Sequence, residues 1–209
     1  MRPLRVALVD YEAGNLRSIA RALAAVGADV TVAAGPRDEI FDAIVLPGVG
    51  AFGAAMRRLD QAGLSGWISA AASADTPLVG ICLGMQVLYE RSEESPEARG
   101  LGVLRGAVRR LPSSVKVPHM GWNRLQPVGS SFLTGVLDPL AHVYFVHSYV
   151  VQPADPETVV AVADHGVVFP AVVACGRVVG LQFHPEKSGP AGLRLLAGLL
   201  ARLAPLPAG

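Results

Sequence analysis

The sequence predicts an α/β fold, a single domain over residues 1–209 with a mixed, mostly parallel central sheet flanked by helices. Three observations carry this. Hydrophobic residues make up 51% of the 209 positions and charged residues only 17%, which is enough apolar material for a sizeable core. In the first half, short apolar runs alternate with segments of helical period, the pattern of a parallel sheet covered on both faces. The second half is rich in Val, with Tyr and Phe interspersed and turns between the runs, and reads as more antiparallel.

The elements follow in order. Residues 5–10 form a buried strand. Residues 15–26 place Leu16, Ile19, Ala20, Leu23 and Ala24 at helical spacing. Strands are expected at 29–33 and 42–46, and helices at 51–59 and 64–74. The run 77–81 is a β-branched strand that hands over to a helix at 83–91. Beyond it, strands are expected at 103–111, 142–151, 158–163, 167–174 and 177–183, with Cys175-Gly176-Arg177 as a hairpin tip. A helix over 191–203 closes the chain. Residues 112–138 carry no clear period.

Composition excludes several classes. Eighteen basic residues face 17 acidic ones, a net charge of +1, so no electrostatic footprint for nucleic acid or an anionic membrane is present. Two cysteines are too few for a disulfide framework and point to a reducing compartment, the cytoplasm. Arg5 and Asp10 interrupt the stretch where a signal peptide would need an apolar run. No segment offers the ~18 consecutive apolar residues of a membrane span.

The chemistry begins at Gly80-Ile81-Cys82-Leu83-Gly84, where a strand passes to a helix. The segment has the shape of the nucleophile elbow G-x-S-x-G, with Cys in place of Ser. Flanking glycines permit a tight, strained turn, and the nucleophile then stands at a helix N-terminus, where the dipole and free N–H groups favour a thiolate. The N–H of Leu83 would point at a developing oxyanion. Cys175 lacks such a context and reads as buried or turn-associated.

Gln182-Phe183-His184-Pro185-Glu186 follows a predicted strand. In an extended chain, residues two apart project to one side, so Glu186 can hold one nitrogen of His184 protonated while the other accepts the Cys82 proton. A parallel sheet lets these distant segments meet, because strand carboxyl ends line one edge. A zinc site is disfavoured for want of paired ligands at metal spacing. Pro47-Gly48-Val49-Gly50 ends another predicted strand and can offer a second oxyanion donor from Val49 or Gly50. A phosphate loop is disfavoured there, since no Lys or Ser/Thr follows in register. Its glycines also ease a peptide flip, so the loop is expected to switch between open and donating states when a partner docks.

Together, Pro47-Gly48-Val49-Gly50, the elbow with Met85-Gln86, and Phe183-His184-Pro185-Glu186 resemble the signatures of class I glutamine amidotransferases. Residues 10–16, His119-Met120-Gly121-Trp122-Asn123 and residues 144–149 narrow the resemblance to the glutaminase subunits of imidazole glycerol phosphate synthase, in histidine biosynthesis. The resemblance implies a flavodoxin-like amidotransferase fold and a Cys82, His184, Glu186 triad that cleaves glutamine through a thioester. It implies that Gln86, Ser148 and Tyr149 hold glutamine, with Glu94 as a partner for its amino group. It implies no cofactor and no metal, and a heterodimer with a (β/α)₈ cyclase subunit that receives the ammonia. Tyr144 and Lys187 are candidates for the docking face. His119, His142, His147 and His165 are read as structural. Two enzymatic alternatives share parts of the pattern: the glutaminase of another class I system, and a cysteine-elbow hydrolase or stress protein. A regulatory subunit with a dead site is a third.

Overall fold

The computed structural model describes residues 2–12, 14–129, 131–133 and 135–203. In chain order the elements are β1 (Arg5–Val9), α1 (Leu16–Ala25), β2 (Asp29–Ala33), β3 (Ala43–Leu46), α2 (Phe52–Gln61), α3 (Leu64–Ser73), β4 (Leu78–Ile81) and α4 (Leu83–Val87). They continue with β5 (Arg91–Ser92), β6 (Gly106–Arg110), β7 (His119–Arg124), β8 (Gln126–Pro127), β9 (His142–His147) and β10 (Tyr149–Pro153). The last are β11 (Val159–Asp164), β12 (Val168–Cys175), β13 (Val178–Leu181) and α5 (Gly189–Leu203).

An eight-stranded sheet runs β2-β1-β3-β4-β13-β12-β11-β8. Its first five strands are parallel and the remainder pair antiparallel, so the sheet is mixed as the sequence indicated. The parallel strands β3, β4 and β13 are buried throughout, which is why they read as continuous apolar runs. One face packs Ile19 and Leu23 of α1 and Leu195, Leu199 and Leu203 of α5. The other packs Phe52, Leu59, Leu64, Ile68 and Leu83 from α2, α3 and α4. On α1 the inward face differs by one position from the expectation: Ala22 is buried and Ala24 faces solvent. No helix among the described residues is long and apolar enough to cross a membrane.

Two elements depart from the sequence reading in ways that shape the site. The helix expected over 83–91 stops at Val87. The returning segment takes its carbonyls: Leu101 N–H donates to Val87 O at 2.8 Å, Leu104 N–H to Leu88 O at 2.9 Å and Gly100 N–H to Glu90 O at 3.0 Å. Helix propensity is a weak prior, and these tertiary bonds override it. The single strand expected over 142–151 breaks at Ser148. Residues before the break pair with β7 and residues after it with β6. The break places Ser148 where the chain leaves one small sheet for another. The unassigned stretch 112–138 supplies β7 and β8.

Candidate active site

Cys82 sits between β4 and α4 with φ 54° and ψ −111°, a backbone region that non-glycine residues rarely occupy. The flanking glycines are required by close approach. A Cβ on Gly84 would lie 1.8 Å from the Leu46 carbonyl oxygen, and one on Gly80 would lie 2.7 Å from the Met85 Cα. The Cys82 N–H donates to Leu181 O at 2.7 Å, which ties the elbow to β13. The same strand leads into His184. The helix after the elbow has only five residues, so the dipole support expected from it is small. His184, whose imidazole interacts with the Cys82 side chain, is the other source of positive charge.

The His184 Nδ1 lies 2.8 Å from Glu186 Oε1, and both side chains are withdrawn from solvent. The pairing arises differently from the expected strand alternation. Residues Pro185–Lys187 form a turn of 3₁₀ helix that swings Glu186 back beneath the ring. Asn15 Nδ2 donates to the same carboxylate oxygen. Asn15 occupies the cap position of α1 in left-handed conformation and makes no cap bond of its own, so its side chain serves Glu186 instead. Since the carboxylate accepts at Nδ1, that nitrogen carries the proton. The His184 Nε2 is buried and has no hydrogen-bond partner among the described residues. Burial works against charge on His184, but the polar interactions with Cys82 and with Glu186 outweigh it and raise the imidazole to about 9.

These groups open onto a pocket of about 280 Å³. It is lined by Val49, Gly50, Cys82, Leu83, Gln86, Glu94, Pro118, Val146, His147, Ser148, Tyr149 and His184. The structure therefore brings together at one pocket the predicted nucleophile, base, oxyanion donors and glutamine contacts, with Glu186 behind His184. The N–H groups of Val49, Gly50 and Leu83 donate to no protein group among the described residues. One oxygen of Glu94 accepts the Phe52 N–H at 2.7 Å, where α2 begins. Tyr144 and Lys187 lie outside the pocket. The Lys187 Nζ sits 5.9 Å from the Tyr144 ring centroid, and the Tyr144 carbonyl accepts the His184 N–H at 2.9 Å. Cys175 is exposed at the hairpin tip, so it is turn-associated. Among the described residues no group of three His, Cys, Asp or Glu side chains is placed to hold a metal ion.

Several contributors carried no catalytic or binding role in the sequence reading. Asn15 supports Glu186. The buried Tyr11 hydroxyl donates to Pro47 O at 2.8 Å and holds the base of the Val49–Gly50 loop. Gln182 directs its Nε2 to the Cys82 sulfur at 3.8 Å. His147 lines the pocket. Tyr11 and Asn15 stand in the segment 10–16, and Gln182 directly precedes Phe183 and His184, but only the fold shows what each side chain reaches.

Residues 7–201 match the family model for class I glutamine amidotransferases. The chain belongs to that family. Curated relatives narrow it. The imidazole glycerol phosphate synthase subunit HisH of Geobacillus kaustophilus is 47% identical over 200 residues, covering 91% of this chain and 93% of that one. The subunit of the same name from Methanopyrus kandleri is 46% identical, covering 94% and 98%. Among solved structures, PurLQS from Thermotoga maritima superposes with a TM-score of 0.75 at 24% identity, over 96% of this chain and 99% of that one. A crystal structure of a glutamine amidotransferase gives 0.74 at 22% identity, over 93% and 98%. These two establish the fold, the α/β amidotransferase architecture that the sequence indicated. As a family member the chain is a glutamine amidotransferase, and its relatives are HisH subunits.

Proposed function

We propose that this chain hydrolyses glutamine to glutamate and ammonia on Cys82, as the ammonia-producing subunit of an imidazole glycerol phosphate synthase in histidine biosynthesis. The observation that carries the reading is the strained elbow at Cys82, sharing one pocket with a buried His184 that Glu186 and Asn15 orient. Glutamine enters with its side-chain amide toward Cys82 and its amino-acid end toward Gln86, Glu94, Ser148 and Tyr149. Cys82 passes its thiol proton to the free Nε2 of His184 and the sulfur attacks the amide carbon. The oxyanion is met by the Leu83 N–H and by an N–H from Val49 or Gly50. His184 delivers its proton to the departing nitrogen, the C–N bond breaks, and ammonia leaves behind a thioester. Water then attacks the thioester carbon while His184 takes one of its protons. The C–S bond breaks, the Cys82 sulfur takes that proton from His184, and glutamate is released. Glu186 holds the ring in place through both steps.

Ammonia freed to bulk water would become ammonium, so the product needs a covered route. The partner in this reading is a (β/α)₈ cyclase subunit in a heterodimer, working in the cytoplasm. The docking face centres on Tyr144 and Lys187. Trp122 packs edge-on against Tyr144 with ring centroids 5.9 Å apart, and Trp122 and Met120 are exposed at 56% and 62%. Large exposed apolar side chains gathered in one place mark interaction surfaces. The backbone bond from His184 to Tyr144 O links this face directly to the base.

The test is a glutaminase assay on wild type and Cys82→Ala, each with and without the cyclase, joined to titration of Cys82 with a glutamine-like electrophile. Wild type hydrolyses glutamine, Cys82→Ala does not, and glutamine blocks stoichiometric labelling. Hydrolysis that survives Cys82→Ala would refute the reading.

A further inference from the structure

From the pocket wall inward, three polar side chains and the two carbonyls that end the run form a chain of hydrogen bonds whose direction is fixed at both ends. The Tyr149 carbonyl can only accept, so the His147 Nδ1 that faces it at 3.0 Å carries the proton. His147 Nε2 is then an acceptor, and it takes the N–H of His119 Nδ1 at 3.0 Å. His119 Nε2 in turn accepts from Asn123 Nδ2 at 3.4 Å. The Asn123 amide cannot be reversed, because its Nδ2 also donates to the Asp164 carbonyl at 2.7 Å. Both rings are thus neutral and carry hydrogen on Nδ1. Burial drives His147 down to about 3 and His119 down to about 4, and the titratable neighbours, His165 and His184, oppose a proton there as well.

The same carbonyl reaches the pocket from its other side. Gln86 Nε2 donates to Tyr149 O at 3.0 Å and to Gln182 Oε1 at 3.3 Å, which uses both of its N–H groups. The Gln86 oxygen therefore takes no donor among the described residues. Gln86 lines the pocket, so what it can offer an entering ligand is an acceptor.

We propose that His119 and His147 are positioning residues for substrate: His147 bonds the Tyr149 carbonyl and His119 fixes His147, so that together they hold the strand break at Ser148 and lock the Gln86 amide with its oxygen toward an N–H group of glutamine. This rests on the glutaminase reading above. The competing account is packing, since His119 stacks on Phe145 at 4.9 Å and His147 meets Phe169 at 5.0 Å. The two accounts rank substitutions in opposite order. Asn at 147 carries its amide nitrogen where the ring carries Nδ1 and so preserves the bond to Tyr149. Phe preserves the packing and loses the bond.

The experiment measures KM and kcat for glutamine in the full chain assembled with its cyclase, for wild type, His147→Asn, His147→Phe and His119→Phe. Loss of one neutral hydrogen bond predicts a KM about three- to tenfold higher in His147→Phe, with kcat changed less. His147→Asn stays nearer wild type, and His119→Phe shifts KM in the same direction by a smaller factor. A KM unchanged in His147→Phe, or Asn tolerated worse than Phe, overturns the proposal. Should His147→Phe fail to fold, an unchanged KM in His119→Phe overturns it and a raised KM with kept kcat supports it. Hydrolysis that no longer depends on Cys82 would sink the glutaminase reading instead, so the two failures are distinguishable.

Discussion

Two buried histidine environments stand side by side in this protein and behave in opposite ways. His184 is 1% exposed and is raised to about 9. His147 and His119 are 6% and 3% exposed and are lowered to about 3 and about 4. Burial disfavours the imidazolium at all three positions. What differs is the partner. His184 faces the Glu186 carboxylate and the Cys82 sulfur, whereas His147 and His119 face each other, a backbone carbonyl and an amide. Burial alone therefore does not decide whether an imidazole is charged. One ring is equipped to hand over a proton and the other two to remain fixed hydrogen-bonding struts.

The largest expected effect comes from removing the carboxylate that, together with Cys82, makes the difference. Glu186→Gln should reduce kcat for glutamine hydrolysis by roughly 10²–10⁴, the usual range for a disturbed general acid–base pair. Because Glu186 raises His184, the variant should also lose activity at a lower pH than the wild type, whose rate declines as the pH passes through about 9. A pH–rate profile from pH 6 to about pH 10 reads both, and an unmoved alkaline limb would contradict the stated cause of the shift. The converse variant tests the neutral pair. Asn123→Asp places a carboxylate against His119 and should raise its pKa by about 1–3 units, followed by NMR titration of the ring.

Stability should record both environments. Folded His184 holds its proton more tightly than the unfolded residue, with its ordinary value of 6.5, so the stability it lends is complete below 6.5 and is lost as the pH rises through about 9. His147 and His119 exclude their protons on folding, so their contribution is complete above 6.5 and is lost as the pH falls toward about 4 and about 3. Thermal melting should therefore be highest near neutrality and decline on both sides, with Glu186→Gln flattening the alkaline side. A buried hydroxyl with a neutral partner marks the low end of this scale. Tyr11→Phe deletes the bond to Pro47 and should cost about 1 kcal/mol of stability in denaturant unfolding, with a few-fold loss in kcat from a less firmly held loop.

How much of this was legible in the sequence follows from what each feature depends on. The elbow was legible because its residues are contiguous: Gly80 and Gly84 flank Cys82 in the sequence, although the backbone that a Cβ on Gly84 would strike belongs to Leu46 on the neighbouring strand. The partnership of His184 with Glu186 was legible as a pair, although a turn of 3₁₀ helix makes it, with no strand alternation involved. The break at Ser148 was hidden, since residues 142–151 contain no Gly or Pro to mark a turn and only the two different pairing strands divide them. The end of α4 was hidden for the same reason, because residues 100–104 reach it from elsewhere in the chain. Asn15 carried no assigned role, and its bond to Glu186 spans most of the sequence. Partners set by the fold leave no periodic trace.

The position of β13 carries one last implication. It is the last strand in sequence order among the described residues, yet it lies between β4 and β12 in the middle of the large sheet, and it supports the elbow at one end and delivers His184 just beyond. A ribosome-bound chain that has yet to emit this strand holds two half-sheets with no seam between them and a cysteine without its imidazole. The elbow and the imidazole therefore meet only after both half-sheets have been synthesised, so the site is among the last features of this fold to assemble.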